Sequence, residues 1–234
     1  MKAWKWVLAV WVGGALMAQA DLVGTYKTIV VDGSFSGWTG ADLMYGDSDI
    51  SDGDPDNSSY QNVYLANDSS FLYIALQTKG TGGGSVTNSY TRNIYIDSDM
   101  DSGTGFNSGW MTGGYDNLVQ YGAGGGSYSV FSHTGGDQSA WSWNFDGLIS
   151  YSYDDSFIEL AVSLAALGLS PGDSARIEFH VTGSGVNTET WANQSESSVG
   201  TYQLGVVPEP GTALLFSGGI LLAASLRRRR QHRG

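Results

Sequence analysis

Ser70-Phe-Leu-Tyr-Ile-Ala-Leu-Gln77 reads as a β-strand whose side chains alternate between two faces. Leu72, Ile74 and Leu76 fall on one face; Phe71, Tyr73 and Ala75 fall on the other. Phe157-Ile-Glu-Leu-Ala-Val162 repeats the pattern with Ile158, Leu160 and Val162 inward, and Ala175-Arg-Ile-Glu-Phe-His-Val181 with Ile177, Phe179 and Val181 inward. Further strands are expected at residues 26–31, 61–66, 92–97, 117–121, 128–131, 141–145, 148–153 and 200–204. Only residues 163–167 read as a helical turn, ended by Gly168. Gly is 34 of 234 residues, about twice the usual ~7%, and Gly/Ser/Asp clusters punctuate the runs. About ten strands with no βαβ rhythm predict an all-β fold, a two-sheet antiparallel jelly-roll-like β-sandwich.

The ends of the chain belong to a different logic. Lys2 and Lys5 precede an apolar run over residues 6–16, and Ala18-Gln19-Ala20 is a small-x-small cleavage signal. Residues 1–20 therefore read as a signal peptide, cut by signal peptidase before Asp21. At the other end, Pro208-Glu209-Pro210 is followed by an apolar run over about 211–226 and then by Arg227, Arg228, Arg229 and Arg230. A helix of 17 residues, 210–226, would be about 25 Å long, near the lower limit for a bilayer span. The arginines would hold its end on the cytoplasmic side. This order resembles the PEP-CTERM sorting signal of bacteria that export proteins into a polysaccharide-rich envelope. The resemblance implies transient membrane insertion, cleavage by an exosortase-type membrane protease, and a final place at the cell surface or in the extracellular matrix. The domain expectation is thus a sandwich over residues 21–206, with the sorting tail over 207–234 and its short hydrophobic helix at about 211–226.

The two signals mask the charge of the body. The full chain holds 11 basic and 23 acidic residues, net −12. Between residues 21 and 206 only Lys27, Lys79, Arg92 and Arg176 are basic, against 22 acidic residues, so the body carries −18. Such a surface repels nucleic acid. It attracts divalent cations wherever carboxylates converge. The chain has no cysteine, so no disulfide braces it outside the cell, and bound calcium could take that role.

Asp97, Asp99 and Asp101 stand at alternate positions ahead of Gly103 and Gly105. Alternating carboxylates on a Gly-bent loop supply the hard oxygens that calcium requires. The loop is not an EF-hand: its sixth position is Ser102 and its twelfth is Ser108, so another ligand is needed, and Asp116 is the expected one. A second acidic group, Asp47, Asp49, Asp52, Asp54 and Asp56, reads as a solvated loop. Among the aromatics, Trp38 follows the first strand and is expected in the core. Trp110 and Trp191 lie in polar, Gly/Ser/Asn-rich segments, while Trp141 and Trp143, two apart, are expected on one strand face. These four are the candidate contacts for extracellular polysaccharide, because indole planes stack on the C–H faces of sugars. His180 reads as a surface imidazole on its strand. Glu159 and Glu178 point away from the predicted core and are the carboxylates that a glycoside-cleaving enzyme would have to use. No nucleophile elbow, P-loop or zinc-protease motif occurs.

The order of features in the body resembles family-nine carbohydrate-binding modules and their DOMON-like relatives. The matching pieces are Val30-Val-Asp-Gly-Ser-Phe-Ser-Gly-Trp38, Asn67-Asp-Ser-Ser-Phe-Leu-Tyr-Ile-Ala75 and Asn93-Ile-Tyr-Ile-Asp-Ser-Asp-Met-Asp-Ser-Gly-Thr-Gly105, then Gly114-Tyr-Asp-Asn117 and residues 157–169. Gly37 stands where that pattern usually has Asp. The resemblance implies a calcium-carrying sandwich that binds polysaccharide and does not cut it. The alternatives are a structural or adhesive matrix protein and, further off, a glycan-active enzyme.

Overall fold

Strand pairing in the computed structural model, which describes residues 22–46, 60–78, 90–107, 109, 114–121, 127–154, 157–183, 189–191 and 201–207, forms two sheets. The strands are β1 Leu22–Val23, β2 Thr25–Tyr26, β3 Leu43–Gly46, β4 Tyr60–Asn67, β5 Phe71–Thr78, β6 Tyr90–Asp97 and β7 Asn117–Tyr121. They continue as β8 Tyr128–His133, β9 Trp143–Leu148, β10 Ser150–Tyr153, β11 Phe157–Ser163, β12 Ser174–Gly183, β13 Glu189–Trp191 and β14 Thr201–Gln203. One sheet has eight strands in the order β1-β14-β12-β6-β7-β8-β9, with β13 also on β12; the other has six in the order β10-β11-β5-β4-β2, with β3 also on β4. The fold is an all-β sandwich. Its pairs are antiparallel except for two short parallel ones, β1 with β14 and β2 with β4, through which the first residues pass from one sheet to the other.

Alternation explains the core. Ile74 sits opposite Leu160 on one side and Leu65 on the other, and Ile177 and Phe179 sit opposite Ile96 and Ile94. These side chains, with Leu72, Leu76, Ile158 and Val162, fill the space between the sheets and are all but inaccessible. Each contributes roughly 1.5–3 kcal/mol relative to exposure. The turn after β11 matches expectation: Leu164 and Leu167 join the core and Gly168 ends it with φ +68°. The expected strand at 26–31 stops at Tyr26, and the one expected at 141–145 begins at Trp143.

Both sheets are also covered on their outer faces. Tyr64, Ala66, Tyr73, Ala75, Phe157 and Ala161 pack under Ile29 and Trp38. The hydrogen bonds there centre on Glu159, which accepts from Asp32 N at 2.9 Å, Gly33 N at 2.7 Å and Trp38 Nε1 at 2.7 Å. Those donors hold segment 27–42 flat on the sheet. Trp38 is buried, as expected, and Phe35 meets Tyr64 and Phe157 edge-on. On the other sheet, Tyr95 and Leu118 lie under Phe106 and Tyr115. Among the described residues no helix is long and apolar enough to cross a membrane. The leader, the sorting tail after Val207 and the second acidic group at 47–56 lie outside the described residues.

Trp38→Ala removes a core side chain and one of Glu159's three donors together. Thermal unfolding of the variant is expected to report a loss of about 3–5 kcal/mol.

Candidate functional site

The acidic loop follows β6 and folds back on residues 114–116. Gly114 permits the return, because any Cβ there would run into the carbonyl oxygens of Thr104 and Asp101. Phe106 and Tyr115 close it with reciprocal backbone hydrogen bonds of 2.8 Å. The fold-back brings Asp97, Asp99 and Asp116 together, each offering an oxygen within 4.8 Å of the others. Asp101 stands outside this group; its Oδ1 accepts from Gly103 N at 2.9 Å. Asp116 Oδ2 accepts from Ser98 N and Asp99 N, and Asp99 Oδ2 from Thr104 Oγ1.

Asp97 is the exceptional member. Its side chain is fully buried, Oδ2 accepts from Arg176 at 2.7 Å, and Oδ1 has no hydrogen-bond partner. Burial raises its pKa above the usual aspartate value, opposed by Arg176. Three carboxylates beside one guanidinium leave a surplus of negative charge, and one buried Asp97 oxygen has no hydrogen-bond partner. That combination fits a hard divalent cation such as calcium, with Asp97, Asp99 and Asp116 as the side chains that would hold it.

A second loop, residues 134–142 between β8 and β9, is latched to the acidic loop. Gln138 Nε2 donates to Ser102 O at 3.1 Å and Thr104 O at 2.5 Å, and Gln138 O accepts from Asn107 N at 2.8 Å. His133 Nε2 lies 3.2 Å from Ala140 O and its Nδ1 accepts from Gly135 N, an arrangement that suits the Nε2–H tautomer. Between the loops opens a cleft of about 650 Å³ lined by Gly103, Asn107, Gly109, Gly136, Asp137, Gln138 and Ser139. Trp141, two residues beyond Ser139, is 55% exposed. Its ring is nevertheless held edge-on by Phe106 at 5.4 Å and Trp143 at 5.7 Å. Trp143 is half-buried and begins β9, so the two indoles meet although Trp141 precedes the strand.

Beneath the loops, the outer face of the eight-stranded sheet carries a polar row. Gln120 Nε2 donates to Asn93 Oδ1 at 2.7 Å, and Asn93 Nδ2 to Tyr95 Oη at 3.0 Å. His180, opposite Asn93 in the register, is buried, which corrects the expectation of a surface imidazole. Glu178 and Glu159 do face away from the core, yet both are fully buried under the covers. They stand on the outer faces of different sheets. Stacked sheets are already ~10 Å apart, more than the ~5–9.5 Å over which two carboxylates act on one glycosidic bond. They do not form a catalytic pair.

Of the expected sugar contacts, Trp110 lies outside the described residues, and Trp191 is described only as a backbone position in β13, opposite Phe179. Arg176 and Gln138 were not anticipated. Arg176 could have been found, since it is one of four body cations and its position alternates with inward Ile177. Nothing in the sequence marks Gln138 as a latch.

No protein-family model matches the chain, and no curated protein matches it. Among solved structures it is similar to a family 9 carbohydrate-binding module from Caldicellulosiruptor kristjanssonii, determined in complex with cellotriose. The identity is 14% and the TM-score 0.41, over 80% of this chain and 94% of that one.

Burial pushes the His180 pKa down to about 4. The unfolded chain binds a proton near pH 6.5 that the folded chain refuses, so stability falls as pH drops from 6.5 toward 4. The expected loss is on the order of 2–3 kcal/mol. Melting curves across that window test it: His180→Gln is expected to flatten the decline.

Proposed function

We propose that this protein is an exported, noncatalytic envelope or matrix protein whose sandwich binds polysaccharide and is braced by calcium. The observation that carries the reading is Trp141, an indole left 55% exposed yet fixed edge-on by Phe106 and Trp143 beside an open polar cleft. A sugar ring stacks on such a surface without first ordering it, while Asn107 and Asp137 offer hydrogen bonds from the cleft lining. Trp110 and Trp191 remain candidates for further stacking. Export, through signal peptidase and then an exosortase-type protease acting at Pro208-Glu209-Pro210, is part of the same proposal and rests on the sequence of the two ends.

Calcium, when bound, supplies a fixed positive charge that ties the return of the acidic loop to β6. Asp97, Asp99 and Asp116 would hold it. The Gln138 latch then passes that stiffness to the loop that carries Trp141. A purely structural or adhesive matrix role is the second reading, favoured by the exposed apolar side chains Phe145 and Leu148 on edge strand β9.

Affinity electrophoresis through gels containing soluble polysaccharides tests the binding. Trp141→Ala is expected to weaken retention by ~2 kcal/mol, about 30-fold, while melting close to the parent. Retention equal to the parent's would remove the main support for the reading.

The calcium brace is tested by melting the protein with and without chelator. At calcium ~100-fold above its dissociation constant the ion is expected to stabilise the fold by roughly 2.7 kcal/mol. The double variant Asp97→Ala, Asp99→Ala is expected to abolish the shift. Superimposable curves for the parent would rule the site out.

A further inference from the structure

The two ends of the sandwich are joined at one edge. β1 runs parallel beside β14, with Leu22 opposite Tyr202 and Val23 opposite Gln203, and Gly24 N donates to Gln203 O at 2.7 Å. Asn67, fully buried at the end of β4, clamps the exit of the chain. Its Nδ2 donates to Gly205 O at 3.0 Å and its Oδ1 accepts from Gly205 N at 2.7 Å. Gly205 lies so close under Gly24 and Tyr26 that a Cβ would fall 2.5 Å from Gly24 O.

Four apolar side chains near this joint are exposed: Leu22 at 40%, Val23 at 68%, Val206 at 57% and Val207 at 58%. In a body of net charge −18, β1, β2 and residues 201–207 contribute no acidic side chain. Asp173, whose carbonyl accepts from Leu204 N, keeps its carboxylate on Ser170 N, and Asp21 and Glu209 flank the edge in sequence. Three residues, 208–210, separate Val207 from the apolar run at 211–226, at most roughly 11 Å of chain.

We infer that the β1/β14 edge is a lipid-facing surface, held against the bilayer while the tail is in the membrane. The inference rests on the reading of residues 211–226 as a membrane segment. A chain clamped at Gly205 and inserted a few residues later cannot hold its body far from the bilayer. The edge next to the tether is poorer in acidic side chains than the rest of the surface, with Asp21, Asp173 and Glu209 the carboxylates nearest it in the chain, so it meets anionic headgroups with less repulsion. The opposite edge, β9, stands five strands from β14, roughly 24 Å away at ~4.8 Å per strand.

The chain has no cysteine, so single cysteines can be placed without background. Val23→Cys, Val206→Cys and Phe145→Cys, in the chain from Asp21 through the tail, would carry a thiol-reactive fluorophore; Leu148→Cys replaces Phe145→Cys if that variant melts early. The proteins are reconstituted into phosphatidylcholine/phosphatidylglycerol vesicles containing nitroxide-labelled lipid. Flotation with the vesicles, with severalfold stronger quenching at positions 23 and 206 than at 145, is the expected result. Flotation with equal quenching at all three positions overturns the lipid-facing edge and leaves the membrane tail standing. Failure to float overturns the membrane reading of the tail and this inference with it.

Discussion

The Glu159 carboxylate is buried on the outer face of the six-stranded sheet, and three donors converge on it: two consecutive backbone amides of the 32–33 turn and the Trp38 indole. A buried carboxylate left unpaired costs several kcal/mol, so the cover that supplies these donors cannot lift off without exposing a large penalty. That constraint organises one side of the molecule. Segment 27–42 lies on the sheet because Glu159 demands donors there, and Trp38 and Ile29 then bury Tyr73 and Ala75 beneath them. The strand expected at 26–31 ends early: after Lys27 N donates to Asn67 O the chain leaves the ladder, and the next turn, 32–33, gives its amides to the carboxylate.

Asp97 poses the same demand on the other sheet, and its environment meets it only in part. Arg176 satisfies one oxygen; the other has no hydrogen-bond partner, and Asp99 and Asp116 stand close by. The difference between the two carboxylates separates a structural anchor from a candidate site. Glu159 has every strong donor it can use, so nothing further is needed. Asp97 has surplus charge and an open oxygen, and burial raises its pKa above the usual aspartate value.

Much of the core was legible because period-two alternation is a local property of the chain. Leu72, Ile74 and Leu76 could be assigned inward from eight residues alone, and the structure buries all three. Alternation also sends Glu159, Glu178 and His180 to the opposite faces, but "opposite the core" was equated with solvent. A sheet covered on both sides breaks that equation, and the covers are loops whose path depends on long-range pairings such as Glu159 with Asp32, 127 residues apart. The acidic loop was visible as alternating aspartates, yet spacing cannot tell which of them turn inward. Asp101 caps Gly103 N, while the return through Gly114 brings Asp116 across. Asn67 was quoted at the head of one piece of the family resemblance, and only the fold makes it the clamp on Gly205.

Arg176 decides how a cation would act on this body. If the three carboxylates stood alone, their repulsion would open the loop in the absence of an ion, and binding would be coupled to folding. The guanidinium at 2.7 Å from Asp97 offsets part of that repulsion, and the backbone amides of Ser98 and Asp99 on Asp116 offset more. The loop therefore has a reason to hold its shape without metal. An ion would add rigidity to a site already formed, and the rigidity would travel along backbone and amide contacts through Gln138 to the loop bearing Trp141. In a chain without cysteine, the three clustered carboxylates are thus linked, through the Gln138 latch, to the loop that carries the most exposed indole among the described residues.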